Sequence, residues 1–314
     1  MNWLVYVLLF VLGTIFGSFL NVLILRYKPE EPLFKNVGGR SHCPHCRKTL
    51  GWYELIPLLS FIIQGGRCRS CHEKLSFQYP LVEFLSGLIL VFVPLMILRG
   101  DPGLAVILSP HLFLSTQSDF YHRLYLAAWG GIILSALWVL AFLDLLTVAV
   151  LDLRLRLIPD ELNIFLGLAG AAVLVVNFYS AKFQLAAFLP ASFLGSYAQL
   201  FTFTNNVWFN GLVGLIFGGG FMLFLHLVSG GRGMGFGDVK LGAAAGILMS
   251  WPDIMPVVAV SFIAGAIISS VLLAFQKKSL RSMVPFAPFF VLGITLIYFF
   301  GYDICNVYFR IFGL

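Results

Sequence analysis

Charge is scarce in this chain. Asp, Glu, Lys and Arg make up 11% of its 314 residues, against about 25% in an ordinary soluble domain. Hydrophobic residues account for 60%, and Phe alone occurs 32 times. A water-soluble globule of this length cannot bury that much apolar surface, which leaves lipid as the solvent. Several apolar runs reach the ~20 residues that a helix needs to cross a hydrocarbon core. Charge is also missing ahead of the first run, Trp3 to Leu25, whereas Arg26 follows it directly. A cleavable signal peptide carries its charge on the other side. The run therefore reads as a retained helix with its N-terminus outside and its C-terminal end in the cytoplasm. Internal repeats and low-complexity tracts are absent as well, which excludes a solenoid.

The charge that is present sums to +6 but is unevenly placed. Nine of the 20 Lys and Arg lie between Arg26 and Lys74. Most of the others punctuate the ends of apolar runs, at Arg154 and Arg156, Arg232 and Lys240, then Lys277, Lys278 and Arg281. Such clusters stay cytoplasmic during insertion and report topology. They are not the footprint of a nucleic-acid-binding domain, so no nucleic acid is expected as a partner.

Crossings are expected at Trp3–Leu25, Tyr79–Leu98, Trp129–Val150, Glu161–Phe178, Asn210–Leu227, Val239–Ser250, Ile254–Phe275 and Pro285–Phe300. Gly103–Leu114 is too short to span and should lie on the outer surface with the polar stretch Ser115–Arg123. Phe183–Phe203 is long enough to cross but contains Pro190, Ser192, Ser196 and Gln199. If it crossed, Asp152 and Asp238 would emerge on opposite faces, so parity makes it interfacial or re-entrant. The fold class is thus an all-α polytopic membrane protein of about eight transmembrane helices, since lipid offers backbone groups no other partner. Residues 26–78 form the one sizeable polar insertion, a small cytoplasmic loop domain.

That insertion holds four of the five cysteines. Cys43-Pro-His-Cys46 and Cys68-Arg-Ser-Cys71 can bring four thiolates together around one structural zinc. A reducing cytoplasm disfavours the alternatives, two disulfides or a redox pair. His45 and His72 stand beside the knuckles, but four sulfurs already complete the shell. Cys305 is alone on the outer side.

An Asp within a transmembrane helix costs about 3 kcal/mol on insertion scales, which makes it a functional candidate. Asp144, Asp152 and Asp238 qualify. Asp152 sits where one helix ends, ahead of Pro159-Asp160; Asp238 follows Gly235-Phe-Gly, where glycines allow close approach of a backbone. Two carboxylates at one depth on different helices can share a proton. The ionised member can then deprotonate a water while the protonated one polarises a scissile carbonyl. Asp144, about two turns deeper, suits packing or hydrogen bonding, and Asp160 suits a helix cap.

In order along the chain, Gly17-Ser-Phe-Leu-Asn-Val22 with Arg26, the two Cys-x-x-Cys pairs, Tyr79-Pro-Leu-Val-Glu83, Asp152 through Pro159-Asp160, Gly235-Phe-Gly-Asp238-Val-Lys240 and Pro285-Phe-Ala-Pro288-Phe resemble the signatures of bacterial prepilin peptidases, the type IV leader peptidases. Ala287 stands where that family more usually has Gly. The resemblance runs nearly end to end, interrupted by insertions around 100–128 and 180–206.

It implies a bifunctional enzyme of the bacterial inner membrane with its active site facing the cytoplasm. Such an enzyme cleaves the basic leader of prepilin-like precursors after a Gly, with Asp152 and Asp238 as the catalytic pair. It then methylates the new N-terminal amine from S-adenosylmethionine. The chain offers no glycine-rich nucleotide loop for the donor; Glu83 and Gly87, one helical turn apart, are the candidates in the amino-terminal half. The domain division expected is a first helix at 1–25, a four-cysteine zinc domain at 26–78, a second helix with an outer insertion at 79–128 and a protease domain at 129–314. The rival classes are a transporter with proton-coupling carboxylates and a non-catalytic zinc-bearing assembly factor.

Overall fold

A computed structural model of the chain describes residues 3–29, 31–98, 118–182, 192–275 and 284–311, with side chains from 129 onward in the third stretch. It divides into two compact units, 1–95 and 96–314. Ten α-helices are described: α1 Trp3–Arg26, α2 Leu59–Ile63, α3 Gln78–Leu98, α4 Ser118–Leu155, α5 Asp160–Lys182, α6 Ala198–Phe201, α7 Val207–Val228, α8 Phe236–Met249, α9 Ile254–Ala274 and α10 Ala287–Ile311. Among the described residues, β structure is confined to two isolated bridges, His42 with Thr49 and Arg67 with Lys74.

Seven helices are long and apolar enough to cross a membrane: α1, α3, the Trp129–Leu155 part of α4, α5, α7, α9 and α10. The eighth expected crossing, Val239–Ser250, falls on the 14-residue α8. At 1.5 Å per residue α8 is about 21 Å long, short of a full hydrocarbon core. It tolerates this because other helices, rather than lipid, surround it: Leu241, Ala245 and Leu248 are buried.

In the first unit α1 and α3 cross on small residues. A Cβ on Gly13 would come within 2.5 Å of the Ser86 carbonyl oxygen, and one on Gly17 within 2.6 Å of the Glu83 Cα. Backbones this close replace the hydrophobic force that lipid does not supply between helices. Asn21 Nδ2 adds a hydrogen bond to the Tyr79 carbonyl, 3.0 Å. Arg26 closes α1 and donates to four carbonyls of the next loop: Asn36 (3.4 Å), Val37 (3.3 Å), Gly38 (2.6 Å) and Arg40 (3.0 Å). One guanidinium fork, with its five donors, thus gathers the path of the insertion.

In the second unit α7 and α8 approach even more closely. A Cβ on Gly246 would lie 2.2 Å from the Gly214 carbonyl oxygen, and one on Gly218 2.3 Å from that of Gly242. A buried aromatic cluster of Trp138, Phe142, Phe193 and Tyr298 fills the opposite part, with ring centroids 4.7 to 6.0 Å apart in contacting pairs. The described part of the 183–203 stretch, 192–203, is a turn, a 3-10 turn at Gly195–Tyr197 and the four-residue α6. It is tied down rather than spanning. Asp253 accepts from the Ser192 hydroxyl (2.5 Å) and the Phe193 N–H (3.1 Å), and the Trp251 indole donates to the Phe201 carbonyl (2.7 Å). Residues 183–191, the expected outer-surface segment Gly103–Leu114 and the basic trio Lys277, Lys278 and Arg281 lie outside the described residues.

Candidate active site and metal centre

Asp152 occupies the last turn of α4, which Arg156 ends in the left-handed region at φ 54° while its N–H bonds the Asp152 carbonyl. The Asp152 side chain is buried, and its Oδ2 accepts the Ala287 N–H at 3.0 Å. Ala287 is the first residue of α10, and the first N–H groups of a helix have no partner of their own. The stretch Pro285-Phe-Ala-Pro288 thus directs an orphan donor, at the positive end of a helix dipole, onto a carboxylate 135 positions earlier in the chain.

Asp238 is placed by the same device at a different helix. It lies in the first turn of α8, and its Oδ2 accepts the Gly235 N–H at 3.1 Å. The loop before it turns at Gly230 and Gly231, with φ 57° and 73°, values a side chain adopts only with strain. His226 Nδ1 meets the Met234 carbonyl at 2.8 Å and holds the loop's far end. Asp238 is half-buried, more open than Asp152.

Two contacts bring the two motifs to one end of the second unit. A Cβ on Gly237 would sit 3.4 Å from the Ile158 Cβ, so the glycine of one motif lies against the Ile-Pro-Asp of the other. Lys240 Nζ reaches both Asp160 oxygens at 2.7 Å. Asp160 therefore opens α5 and also bridges to α8, where the sequence suggested a cap alone. Asp144 is buried with Oδ2 lacking a hydrogen-bond partner among the described residues.

The sequence left two features of the site unseen. Ala287 entered only as a departure from Gly, although it is the N–H of this residue, and not its side chain, that meets Asp152. The prolines on either side were the available signal, because they mark a helix start whose free donors need an acceptor. Lys240 and Asp160 were read within their own motifs; opposite charges at helix starts 80 positions apart gave no local sign of pairing.

In the first unit the four cysteines converge. The Sγ atoms of Cys43, Cys46, Cys68 and Cys71 lie within 4.8 Å of one another, and Cys43 and Cys71 are 3.9 Å apart. Tetrahedral zinc at ~2.3 Å from each sulfur implies sulfur–sulfur distances near 3.8 Å, so the set fits that ion. The knuckles are built alike. The Cys43 N–H bonds the Lys48 carbonyl and the Cys68 N–H bonds that of Glu73; Arg47 and His72 turn each loop at φ 58° and 55°. Backbone N–H groups of Cys71 and Ser70 draw the Cys68 thiol down to about 6, toward the thiolate that a metal requires. His45 and His72 are exposed beside the cluster.

Glu83 and Gly87 lie one turn apart on α3. Glu83 is buried, and its Oε2 accepts the Leu58 N–H at 2.8 Å. Gly87 faces α1, where an added Cβ would meet the Phe10 ring at 2.6 Å.

Two family models match the chain. The bacterial peptidase A24 N-terminal domain covers residues 11–97, and the type IV leader peptidase family covers 136–270. Curated relatives resemble it almost end to end. A prepilin leader peptidase/N-methyltransferase of Xanthomonas campestris is 29% identical, over 96% of this chain and 94% of its own length. Proteins of the same description from Bacillus subtilis and Aeromonas hydrophila are 29% and 27% identical, over 96% and 93% of this chain and 97% and 89% of theirs. No solved structure matches.

Proposed function

We propose, from the match of residues 136–270 to the type IV leader peptidase family, that the chain is an aspartic endopeptidase that removes the leader of prepilin-like precursors after Gly and N-methylates the residue exposed. The observation that supports the reading is the meeting of the two aspartate motifs through the Gly237–Ile158 and Lys240–Asp160 contacts, with the Ala287 N–H on Asp152. Its place in the cell is the bacterial inner membrane, with that end facing the cytoplasm. The division into 1–25, 26–78, 79–128 and 129–314 belongs to the same proposal.

Proteolysis needs two carboxylates with one proton between them. The ionised carboxylate takes a proton from water as the water oxygen bonds to the scissile carbonyl carbon. The protonated one gives its proton to the carbonyl oxygen, yielding a neutral tetrahedral diol. Collapse returns a proton to one carboxylate and passes another to the leaving nitrogen as the C–N bond breaks. The Gly235 and Ala287 N–H groups hold both acids in place throughout. The glycines at 235 and 237, flanking Phe236 just ahead of Asp238, suit the close approach of an extended substrate backbone.

Zinc, one per chain, would be held by Cys43, Cys46, Cys68 and Cys71 as a structural ion, since four sulfurs leave no open coordination position. S-adenosylmethionine supplies the methyl group for the second reaction. For that donor we keep the first unit around Glu83, with Gly87 acting through the α1–α3 crossing. Mass spectrometry of a prepilin co-expressed with the enzyme tests both reactions. The expected product lacks its leader and carries one added methyl group; an unprocessed precursor alongside folded enzyme overturns the reading.

A further inference from the structure

Between the two knuckles the insertion exposes side chains of the wrong kind for a polar loop. Trp52 is 78% exposed, Ile62 and Ile63 71% each, and Leu59 55%, with Leu55 and Ile56 also open. They lie on a 3-10 turn at Trp52–Glu54, the turn that follows it and α2. Leu59, Ile62 and Ile63 share one face of α2. The other side of α2 is already occupied, because Phe61 packs edge-on against Phe77 with centroids 6.4 Å apart.

The height of this segment is fixed by one bond. Leu58 N–H donates to Glu83, and Glu83 lies five residues beyond Gln78, where the membrane-crossing α3 begins. At 1.5 Å per residue that is about 7.5 Å past the start of the spanning helix. Interfacial segments seat their apolar face about 5–10 Å into the headgroup–acyl boundary, so the depths agree. On α3, Leu81 and Phe84 are also exposed near the turn that carries Glu83.

Charge points the same way. Arg47 and Lys48 precede the segment, and Arg67, Arg69 and Lys74 follow it, all exposed. Only Glu54 and Glu73 oppose them between residues 41 and 77. Glu54 is turned inward onto the Gly51 N–H at 2.8 Å, and Arg69 lies over the Tyr53 ring at 5.1 Å. Basic residues flanking an apolar face are drawn to anionic headgroups, and Trp favours the interface itself.

We propose that Trp52–Ile63 is an interfacial anchor, seated in the lipid headgroup–acyl boundary beside the first turns of α3. The metal knuckles on either side then stay in water just above the anionic headgroups.

The test uses the full-length protein in nanodiscs of anionic lipid. Trp52 emission is isolated as the difference between the wild type and Trp52→Phe. A second reporter is Ile62→Trp on the Trp52→Phe background, and Lys48→Trp on the same background is the aqueous control. Lipids brominated on the acyl chain near the headgroup should quench most of the emission at positions 52 and 62 and spare position 48. Aqueous iodide should do the reverse. Iodide quenching at 52 and 62 with indifference to brominated lipid overturns the proposal. So does shielding from both quenchers, which would mean that protein, not lipid, covers the face.

Discussion

The knuckle region between Arg26 and Phe77 and the helical unit after Met96 both hold polar groups in place, and they do so by different means. In the first, a guanidinium gathers loop carbonyls and two tight turns present four thiols that could hold a metal ion. In the second, glycines let helices touch, and the orphan donors at two helix starts each receive a carboxylate. With zinc as the proposed partner of the four thiols, order in the knuckle region would depend on a ligand, whereas order at the carboxylates comes from the helix framework itself. Chemistry that strips metal and chemistry that neutralises acids should therefore separate the two.

The largest effect is expected at the carboxylates. Asp152→Asn and Asp238→Asn should each abolish cleavage of a prepilin-like peptide by detergent-purified protein. That loss is at least the roughly 10²–10⁴-fold that one acid–base group supplies. Thermal stability should hold, because Asn keeps an oxygen to accept the backbone N–H. Asp144→Asn and Asp160→Asn should leave measurable activity. A dead Asp160→Asn beside an active Asp152→Asn would place the catalytic acid at the wrong position of the first motif.

Next comes the metal. Changing any two of Cys43, Cys46, Cys68 and Cys71 to Ser should remove about one zinc per chain by elemental analysis. It should also open the knuckles to limited proteolysis, since structural zinc supplies about 10 kcal/mol in zinc-finger peptides. Peptide cleavage should fall far less than in the Asp variants. Protein purified under reducing conditions without zinc would remove the ligand from the comparison altogether.

These two predictions also mark how much the sequence disclosed. Ligand identity was legible because Cys-x-x-Cys is a local pattern, and Asp152 and Asp238 were legible because acids in apolar helices are rare. Seven of the eight expected crossings coincide with helices long and apolar enough to span, because run length is itself a local signal. What could not be read were partnerships between distant backbone groups, such as Ala287 with Asp152 and Leu58 with Glu83. An N–H carries no residue identity, so a sequence is silent about where it points. The same holds for the fate of 192–203. Parity argued against a crossing, but the acceptor that ties it down, Asp253, lay in a Trp-Pro-Asp turn that drew no notice.

A smaller effect is expected at Glu83, where two roles can be told apart. Glu83→Gln keeps an oxygen for the Leu58 N–H, and Glu83→Ala does not. If the side chain serves methyl transfer through its charge, both variants should lower methyl incorporation into pre-cleaved pilin. If it serves by holding Leu58, only the Ala variant should. Leader cleavage should be largely unchanged in both. Asp238→Asn given the pre-cleaved substrate should still methylate it, which would keep the two activities in separate groups.

The smallest effect is expected where the two aspartate motifs meet, at Lys240 and Asp160. Lys240 donates to both carboxylate oxygens at 2.7 Å, but both side chains are more than a third exposed, and solvent-exposed pairs contribute about 1 kcal/mol or less. By stability alone the bridge matters little. Its position gives it a second effect, because Lys240 is two residues from Asp238 and Asp160 opens the helix after Ile158, against which Gly237 rests. Loss of the bridge frees the start of α8 to shift relative to the first motif. Lys240→Met should accordingly lower kcat for peptide cleavage several-fold, about what 1 kcal/mol implies, with little change in Tm. The exchanged pair Lys240→Asp with Asp160→Lys should recover part of that loss if attraction between the two positions is what matters. No recovery, with each single variant as active as wild type, would show that the helix starts are held by the Gly237–Ile158 contact and the glycine crossing of α7 and α8 without help from charge.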